Sequence, residues 1–163
     1  MRANAVGKKF SEAELAYITG FLDADGAIMA CIELHSGKRF RFRVRVSIKI
    51  TQHDRQILDW IQRILNAGIV RANRLGDKSQ TFDLHIRDRN EVHKILMRIR
   101  PYLRVKHRQA DIALKILNQN SDSKSNLIKN ARLADALSRF NVRSKNRRKN
   151  FVSKIKEYFS PND

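Results

Sequence analysis

Residues 39–51 read RFRFRVRVSIKIT, a strict alternation of apolar with polar and mostly cationic side chains. Successive side chains of a strand point to opposite faces, so this spacing predicts a strand over Arg39–Thr51. Phe40, Phe42, Val44, Val46, Ile48 and Ile50 share one face, and Arg39, Arg41, Arg43, Arg45, Ser47 and Lys49 share the other. Same-face neighbours along a strand stand only about 7 Å apart, where like charges repel. A polyanion lying on that face would offset the repulsion.

Working outward, Ser11 and Glu14 form a capping box that opens a helix running to about Asp23, with Gly26 as its stop. Ile28, Ala30, Ile32 and Leu34 alternate over a strand from Ala27 to Leu34, and Ser36 with Gly37 marks the hairpin turn. Beyond the basic strand, Asp54 caps a helix carrying Ile57, Leu58, Ile61, Ile64 and Leu65 and ending near Gly68. A second hairpin pairs Ile69–Arg74 with Thr81–Arg87 around a turn at Gly76 and Asp77, with Phe82, Leu84 and Ile86 facing inward. Asp88 and Glu91 start another helix, which stops before Pro101, and a further one spans about Lys106 to Asn118. The order helix, hairpin, helix, hairpin, helix is an α+β class: an αββαββα core with an antiparallel sheet, helices on one face and the other face left for a ligand. The expected organisation is an N-terminal arm over 1–10, the core over 11–119, and a basic C-terminal extension of one or two helices over 120–163.

Composition narrows the ligand. Lys and Arg number 34 against 16 acids, a formal net charge of +18, and the isoelectric point is near 10.8. Self-repulsion of that size points to nucleic acid. Thr81, Asp83, His85 and Arg87, joined by Arg71 and Asn73, add donors and acceptors to the cationic face, and a β-ribbon fits the major groove of B-DNA. No apolar run approaches the roughly 20 residues that span a bilayer, and the N-terminal residues lack a signal-peptide core, so a soluble intracellular protein with no membrane partner is expected, in no particular compartment. Cys31 is the only cysteine; it can form neither an internal disulfide nor a cysteine-based zinc site, and burial is expected for it. His35, His53, His85, His93 and His107 show no compact ligand spacing. The basic stretch from Arg139 to Lys156 is open to two readings, a solvated helix face or a set of phosphate contacts.

The chemistry-bearing segment is Ile18-Thr19-Gly20-Phe21-Leu22-Asp23-Ala24-Asp25-Gly26. Ala16, Gly20 and Ala24 recur every four residues, a small-residue stripe that a second helix backbone can approach closely. Asp23 and Asp25 fall at the C-terminal end of the helix, where the macrodipole disfavours acids by some tenths of a kcal/mol. A hard divalent cation, which prefers carboxylate and carbonyl oxygens, offsets this.

This segment resembles the LAGLIDADG signature of homing endonucleases, and Ile50-Thr51-Gln52 and Pro101-Tyr102-Leu103-Arg104-Val105-Lys106 are similar to two further landmarks of single-motif members. Thr19 departs from the small residue of that signature. The resemblance covers about residues 11–119. It implies a homodimer paired through Ala16, Gly20 and Ala24, with the sheet forming a DNA-binding saddle. Asp25 and the Ala24 backbone carbonyl would bind Mg2+, a site Mn2+ or Ca2+ could occupy, while Asp23 supports the turn. Gln52 would position water, and Lys106 would stabilise phosphate charge or order solvent; Arg55 is open to two readings, added charge near the site or a surface role. The implied activity is hydrolysis of both strands of a long, roughly palindromic double-stranded DNA site, with 3′ overhangs and intron mobility. Two alternatives share the composition: a DNA-binding regulator without nuclease activity, and an RNA-binding maturase.

Overall fold

The computed structural model describes residues 11–73, 80–141 and 149–160. The predicted arm over 1–10, the turn at Gly76 and Asp77, and much of the basic C-terminal stretch lie outside the described residues.

Helix α1 (Glu12–Asp25) opens on the predicted capping box: the Ser11 hydroxyl accepts from the Glu14 backbone N–H at 3.2 Å, and the Glu14 carboxylate accepts from the Ser11 N–H at 2.9 Å. It continues two residues past Asp23. The chain then turns at Gly26 directly into β1 (Gly26–Leu34). A Cβ at Gly26 would lie 2.1 Å from Leu22 Cδ1 and 2.8 Å from the Leu22 carbonyl oxygen, so the close approach of helix end and strand start requires glycine.

Strand β2 spans Phe42–Gln52, so Arg39, Phe40 and Arg41 are not strand residues as the alternation predicted. Local hydrogen bonding competes with the ladder there. Lys38 N–H donates to His35 O, Arg41 N–H to Lys38 O and His35 N–H to Arg41 O at 3.1, 2.8 and 2.7 Å, and Arg41 takes a left-handed φ of 60°. Ser36 and Gly37 are the central residues of the turn closed by Lys38 N–H on His35 O, as predicted, and a second turn, closed by Arg41 N–H on Lys38 O, extends the reversal over 35–41. Helix α2 (Arg55–Leu65), capped by Asp54, ends at a left-handed Asn66, short of Gly68. Strands β3 (Ile69–Asn73) and β4 (Thr81–Ile86) follow, and Arg87 lies past the end of β4. Asp88 caps α3 (Arg89–Ile99), Arg100–Tyr102 forms a 3-10 turn that accommodates Pro101, and α4 spans His107–Leu117. The C-terminal region contributes α5 (Lys124–Asn141) and α6 (Phe151–Phe159).

The sheet is antiparallel with strand order β1-β2-β4-β3. Its inner face buries Ile28, Val46, Ile48, Ile50, Leu84 and Ile86 against Ile18 and Leu22 of α1, Leu58 and Ile61 of α2, Val92 and Leu96 of α3, and Ala110, Ala113 and Ile116 of α4. Each fully buried aliphatic side chain of this kind contributes about 1.5–3 kcal/mol. Leu127, Ala131, Ala134, Leu137, Phe151 and Ile155 belong to the same core, so the C-terminal helices share the hydrophobic interior of the αββαββα unit. Asp135 of α5 accepts the Phe151 and Val152 N–H groups at the start of α6, and the Asn141 carboxamide donates to the Ile28 carbonyl of β1 at 2.6 Å.

Substituting Gly26→Ala should destabilise the fold by about 1–3 kcal/mol, because the added methyl overpacks a junction whose nearest atoms include backbone. Chemical denaturation of the two proteins measures it; an unchanged midpoint would contradict the close-approach argument.

Candidate nucleic-acid interface and acidic centre

The outer face of the sheet follows from register. Cys31 pairs with Arg45 and Glu33 with Arg43 across β1 and β2, Lys49 pairs with His85 and Thr51 with Asp83 across β2 and β4, and Arg71 and Asn73 pair with Asp83 and Thr81 across β3 and β4. These residues alternate with the buried set, so Arg43, Arg45, Lys49, Arg71, Asn73, Thr81, Asp83 and His85 occupy one surface. Arg39 and Arg41 sit on the exposed loop at one end of it, and exposed Arg87 flanks it. Because β4 pairs only with Ile48–Gln52, the far half of β2 borders a cleft of about 1040 Å³ whose lining includes Arg39, Arg43, Arg45, Arg87 and Arg89.

The charges on this face are organised. Lys49 Nζ lies 2.7 Å from Asp83 Oδ2, and the Thr51 hydroxyl donates to Asp83 Oδ1 at 2.6 Å. Partial burial pushes the Asp83 carboxyl up, but hydrogen bonds from Lys49, Thr51 and Asn73 and the Lys49 charge outweigh it and hold the group below its ordinary range. His85 is shifted down by burial and by Lys49, with Asp83 opposing and Arg71 adding to the shift. It therefore stays neutral at neutral pH, offering one donor and one acceptor rather than a charge.

Two residues of this region escaped sequence reasoning in part. Glu33 receives Arg43 Nη2 at 2.9 Å and Arg45 Nη2 at 3.2 Å, with Arg87 Nη2 at 3.7 Å. Its signal was available: Glu33 falls on the same alternation as Cys31, opposite to Ile32 and Leu34. Cys31 is half-buried on the outer face rather than in the core, and burial, then the Glu33 charge, push its thiol up to about 11.

At the end of β2 the geometry changes. Gln52 shares the parity of Ile48 and Ile50, facing the helices, but it lies past the packed core and meets the C-terminus of α1 instead. Its Nε2 donates to Asp25 Oδ2 at 2.6 Å. Asp23 turns the other way. Its carboxylate accepts the backbone N–H groups of Arg104, Val105 and Lys106 at 2.7, 3.2 and 2.9 Å. Partial burial pushes the Asp23 carboxyl up, but these three bonds and the Lys106 charge hold it below its ordinary range. The Lys106 ammonium donates to the Asp23 carbonyl, so it reaches the terminus of α1 through the backbone rather than through the Asp25 carboxylate. Helix α1 carries no basic residue in its last turn, and Lys106 supplies that missing positive charge from another element. Arg55 instead pairs with Asp59 at 3.2 Å and lies over the Phe82 ring, a surface arrangement.

Asp25 and Ala24 are exposed at the helix end, and no group of three or more His, Cys, Asp or Glu gathers for a metal among the described residues. One carboxylate with a neighbouring carbonyl fits a hard divalent ion that draws its remaining ligands from water and phosphate oxygens. Thr19, the departure within the motif, is buried and its hydroxyl donates to the Leu15 carbonyl at 2.6 Å, which satisfies it inside the helix. Ala16, Gly20 and Ala24 are exposed along α1, and a Cβ on Gly20 would meet nothing within 4 Å. Beside them Tyr17, 52% exposed, meets Trp60 edge-on at 5.5 Å. No helix among the described residues is long and apolar enough to cross a membrane.

Fold and site together define a class: an antiparallel sheet with helices on one side, a charged open face on the other, and a carboxylate held by a carboxamide at one end of it. The family model for the LAGLIDADG endonuclease matches residues 18–114. A DNA endonuclease of Chlorella vulgaris, I-CvuI, is 32% identical over 126 residues, covering 75% of this chain and 76% of its own. The DNA endonuclease I-CreI of Chlamydomonas reinhardtii is 29% identical over 118 residues, covering 71% and 69%. Among solved structures, I-CvuI in complex with the I-CreI target superposes with a TM-score of 0.77 at 29% identity, covering 90% of this chain and 92% of that one. The archaeal intron-encoded I-Vdi141I complexed with DNA shares the fold at a TM-score of 0.75 and 21% identity, covering 90% and 97%. This chain belongs to the LAGLIDADG endonuclease family.

The depressed Asp83 carboxyl makes a contribution to stability that is present above its ordinary value of 3.8 and is lost as pH falls through the lower folded value. Asp83→Asn should therefore remove part of the fall in stability on acidification below about pH 4, seen by comparing unfolding midpoints at pH 3 and pH 6. Parallel acid profiles for the two proteins would reject the assignment.

Proposed function

We propose that this protein is a site-specific homing endonuclease that hydrolyses phosphodiester bonds in both strands of a long, roughly palindromic double-stranded DNA target. The observation that carries this reading is the contact between Gln52 and Asp25, which joins the end of the arginine-bearing strand to an exposed acidic helix terminus. DNA lying on the outer face meets Arg43, Arg45 and Arg71 as phosphate or guanine contacts, and Asn73, Thr81 and neutral His85 as base-edge partners. Asp25 and the Ala24 carbonyl hold a divalent cation, Mg2+ in the working enzyme. Bound there, such an ion supplies charge neutralisation for the phosphodiester and activation of water.

The remaining work belongs to the chain. Gln52 fixes one oxygen of Asp25, leaving its own carbonyl oxygen to accept a hydrogen bond from an ordered water. Lys106, anchored at the end of α1, adds positive potential close to the scissile phosphate. Asp23 orders the segment that carries Lys106.

One chain offers one acidic centre, and cutting two strands calls for two. The exposed stripe of Ala16, Gly20 and Ala24 lets a second copy approach α1 closely, which brings the two Asp25 side chains together and sets two sheets on neighbouring half-sites. Cleavage leaving 3′ overhangs and mobility of an encoding intron follow from this reading.

Asp25→Asn should leave DNA binding intact and lower the Mg2+-dependent cutting rate by about a thousandfold or more, the cost of several kcal/mol of transition-state stabilisation. Incubation of a random duplex library with Mg2+, followed by sequencing of cut ends, tests the reading as a whole; an uncut library would refute it. Gly20→Leu has open space within its own chain, so it should fold normally yet sediment as a monomer. A dimer that survives this change would place the interface elsewhere.

A further inference from the structure

Three guanidinium groups converge on Glu33. Arg43 and Arg45 both place Nη2 on its Oε2, at 2.9 and 3.2 Å, and Arg87 Nη2 lies 3.7 Å from its Oε1. The Cys31 thiol donates to Oε1 at 3.5 Å, so both carboxylate oxygens are engaged. Burial and the Glu33 charge keep that thiol protonated, since its pKa is pushed up to about 11. The arrangement is dictated by register: Glu33 is directly opposite Arg43 and Cys31 directly opposite Arg45, all on the outer face. Arg87 comes from the segment just past β4, so the cluster gathers cations from two parts of the chain around one anion.

We propose that Glu33 is a specificity-determining residue, which aims Arg43, Arg45 and Arg87 at base edges and restrains their attraction to DNA of any sequence. The inference rests on the DNA-reading function proposed above and deepens it. Each guanidinium has five N–H donors. Arg43 hydrogen-bonds Glu33 through Nη2 and has its Nε buried, while Arg45 and Arg87 meet Glu33 as ion pairs. The Nη1 groups and the remaining Nη2 hydrogens are therefore the donors left for a bidentate contact with guanine. Holding three long side chains in one geometry lowers the ordering cost of a specific contact, which depends on direction. It does little for phosphate attraction, which depends chiefly on charge, and the carboxylate itself subtracts one charge from the non-specific field. An isolated exposed ion pair would be too weak to orient anything, but Glu33 is two-thirds covered and shared by three partners.

Charge and geometry can be separated by two variants. Glu33→Gln removes the anion at constant shape, whereas Glu33→Asp keeps the anion and shortens its reach. Binding to a pool of random-sequence duplexes is measured across a salt series, and the motif enriched from the same pool is sequenced, both in Ca2+ to suppress cutting; melting curves confirm folding. Glu33→Gln should bind random DNA several-fold more tightly, with a plot of log affinity against log salt steeper by about 2, about one for each subunit of the proposed dimer. Both variants should discriminate less at the bases read by the arginines, by about tenfold at each, and Glu33→Asp should keep the parental salt slope. A steeper slope for Glu33→Gln with an unaltered motif would make Glu33 a charge-balancing residue and overturn the proposal, as would a motif unchanged in both variants. A parental chain that enriches no motif would overturn the endonuclease reading and this inference with it.

Discussion

Burial of the sheet on one side only is the constraint from which the other features follow. Ile28, Ile48, Ile50, Leu84 and Ile86 are almost wholly removed from solvent beneath the helices, and the period of two along each strand then forces their neighbours onto the opposite surface. Arg43, Arg45, Lys49, Asp83 and His85 have no other place to go. A shift of one residue in the pairing of β2 would bury the arginines and expose the isoleucines, so the core that stabilises the fold also sets which side chains meet a ligand.

The same packing makes two chemically identical residues different. Asp23 and Asp25 are separated by one alanine, yet the helical turn aims Asp23 at the backbone ahead of α4 and Asp25 outward beside Gln52. Three backbone donors and a nearby ammonium satisfy Asp23 within the chain, which suits it to holding two elements together. Asp25 has one carboxamide partner at an exposed helix terminus and remains accessible to a cation. Division of labour between the two acids is thus a consequence of direction rather than of intrinsic chemistry.

Positive charge is dense on the outer face but not left to repel. Asp83 is set among Lys49, Thr51 and Asn73, and Glu33 among Arg43, Arg45 and Arg87. Two carboxylates, one on β4 and one on β1, divide the cations into local clusters. Such pairing limits the self-repulsion that a formal charge of +18 brings, and it fixes side-chain directions on a surface whose proposed work depends on direction.

Alternation, capping and turn residues were enough to place the helices, both hairpins and the single-sided sheet, because these depend on local periodicity and on short-range hydrogen bonds. The motif around Asp25 was legible for the same reason, since its spacing along one helix is local. Four outcomes were not. Arg39 and Arg41 continue the alternation of β2 perfectly but lie in the loop, where turn hydrogen bonds among His35, Lys38 and Arg41 prevail over strand pairing. Lys106 meets the carbonyl of Asp23 rather than the Asp25 carboxylate, Glu33 gathers three arginines, and α5 and α6 complete the core of the αββαββα unit. The first turns on short-range hydrogen bonds that the continued alternation masks, whereas the other three depend on groups far apart in the chain, whose distance is set by packing of the whole core. Sequence by itself determined which faces are apolar and which are charged; tertiary structure decided which charges touch, because contact is a property of three-dimensional register and not of order along the chain.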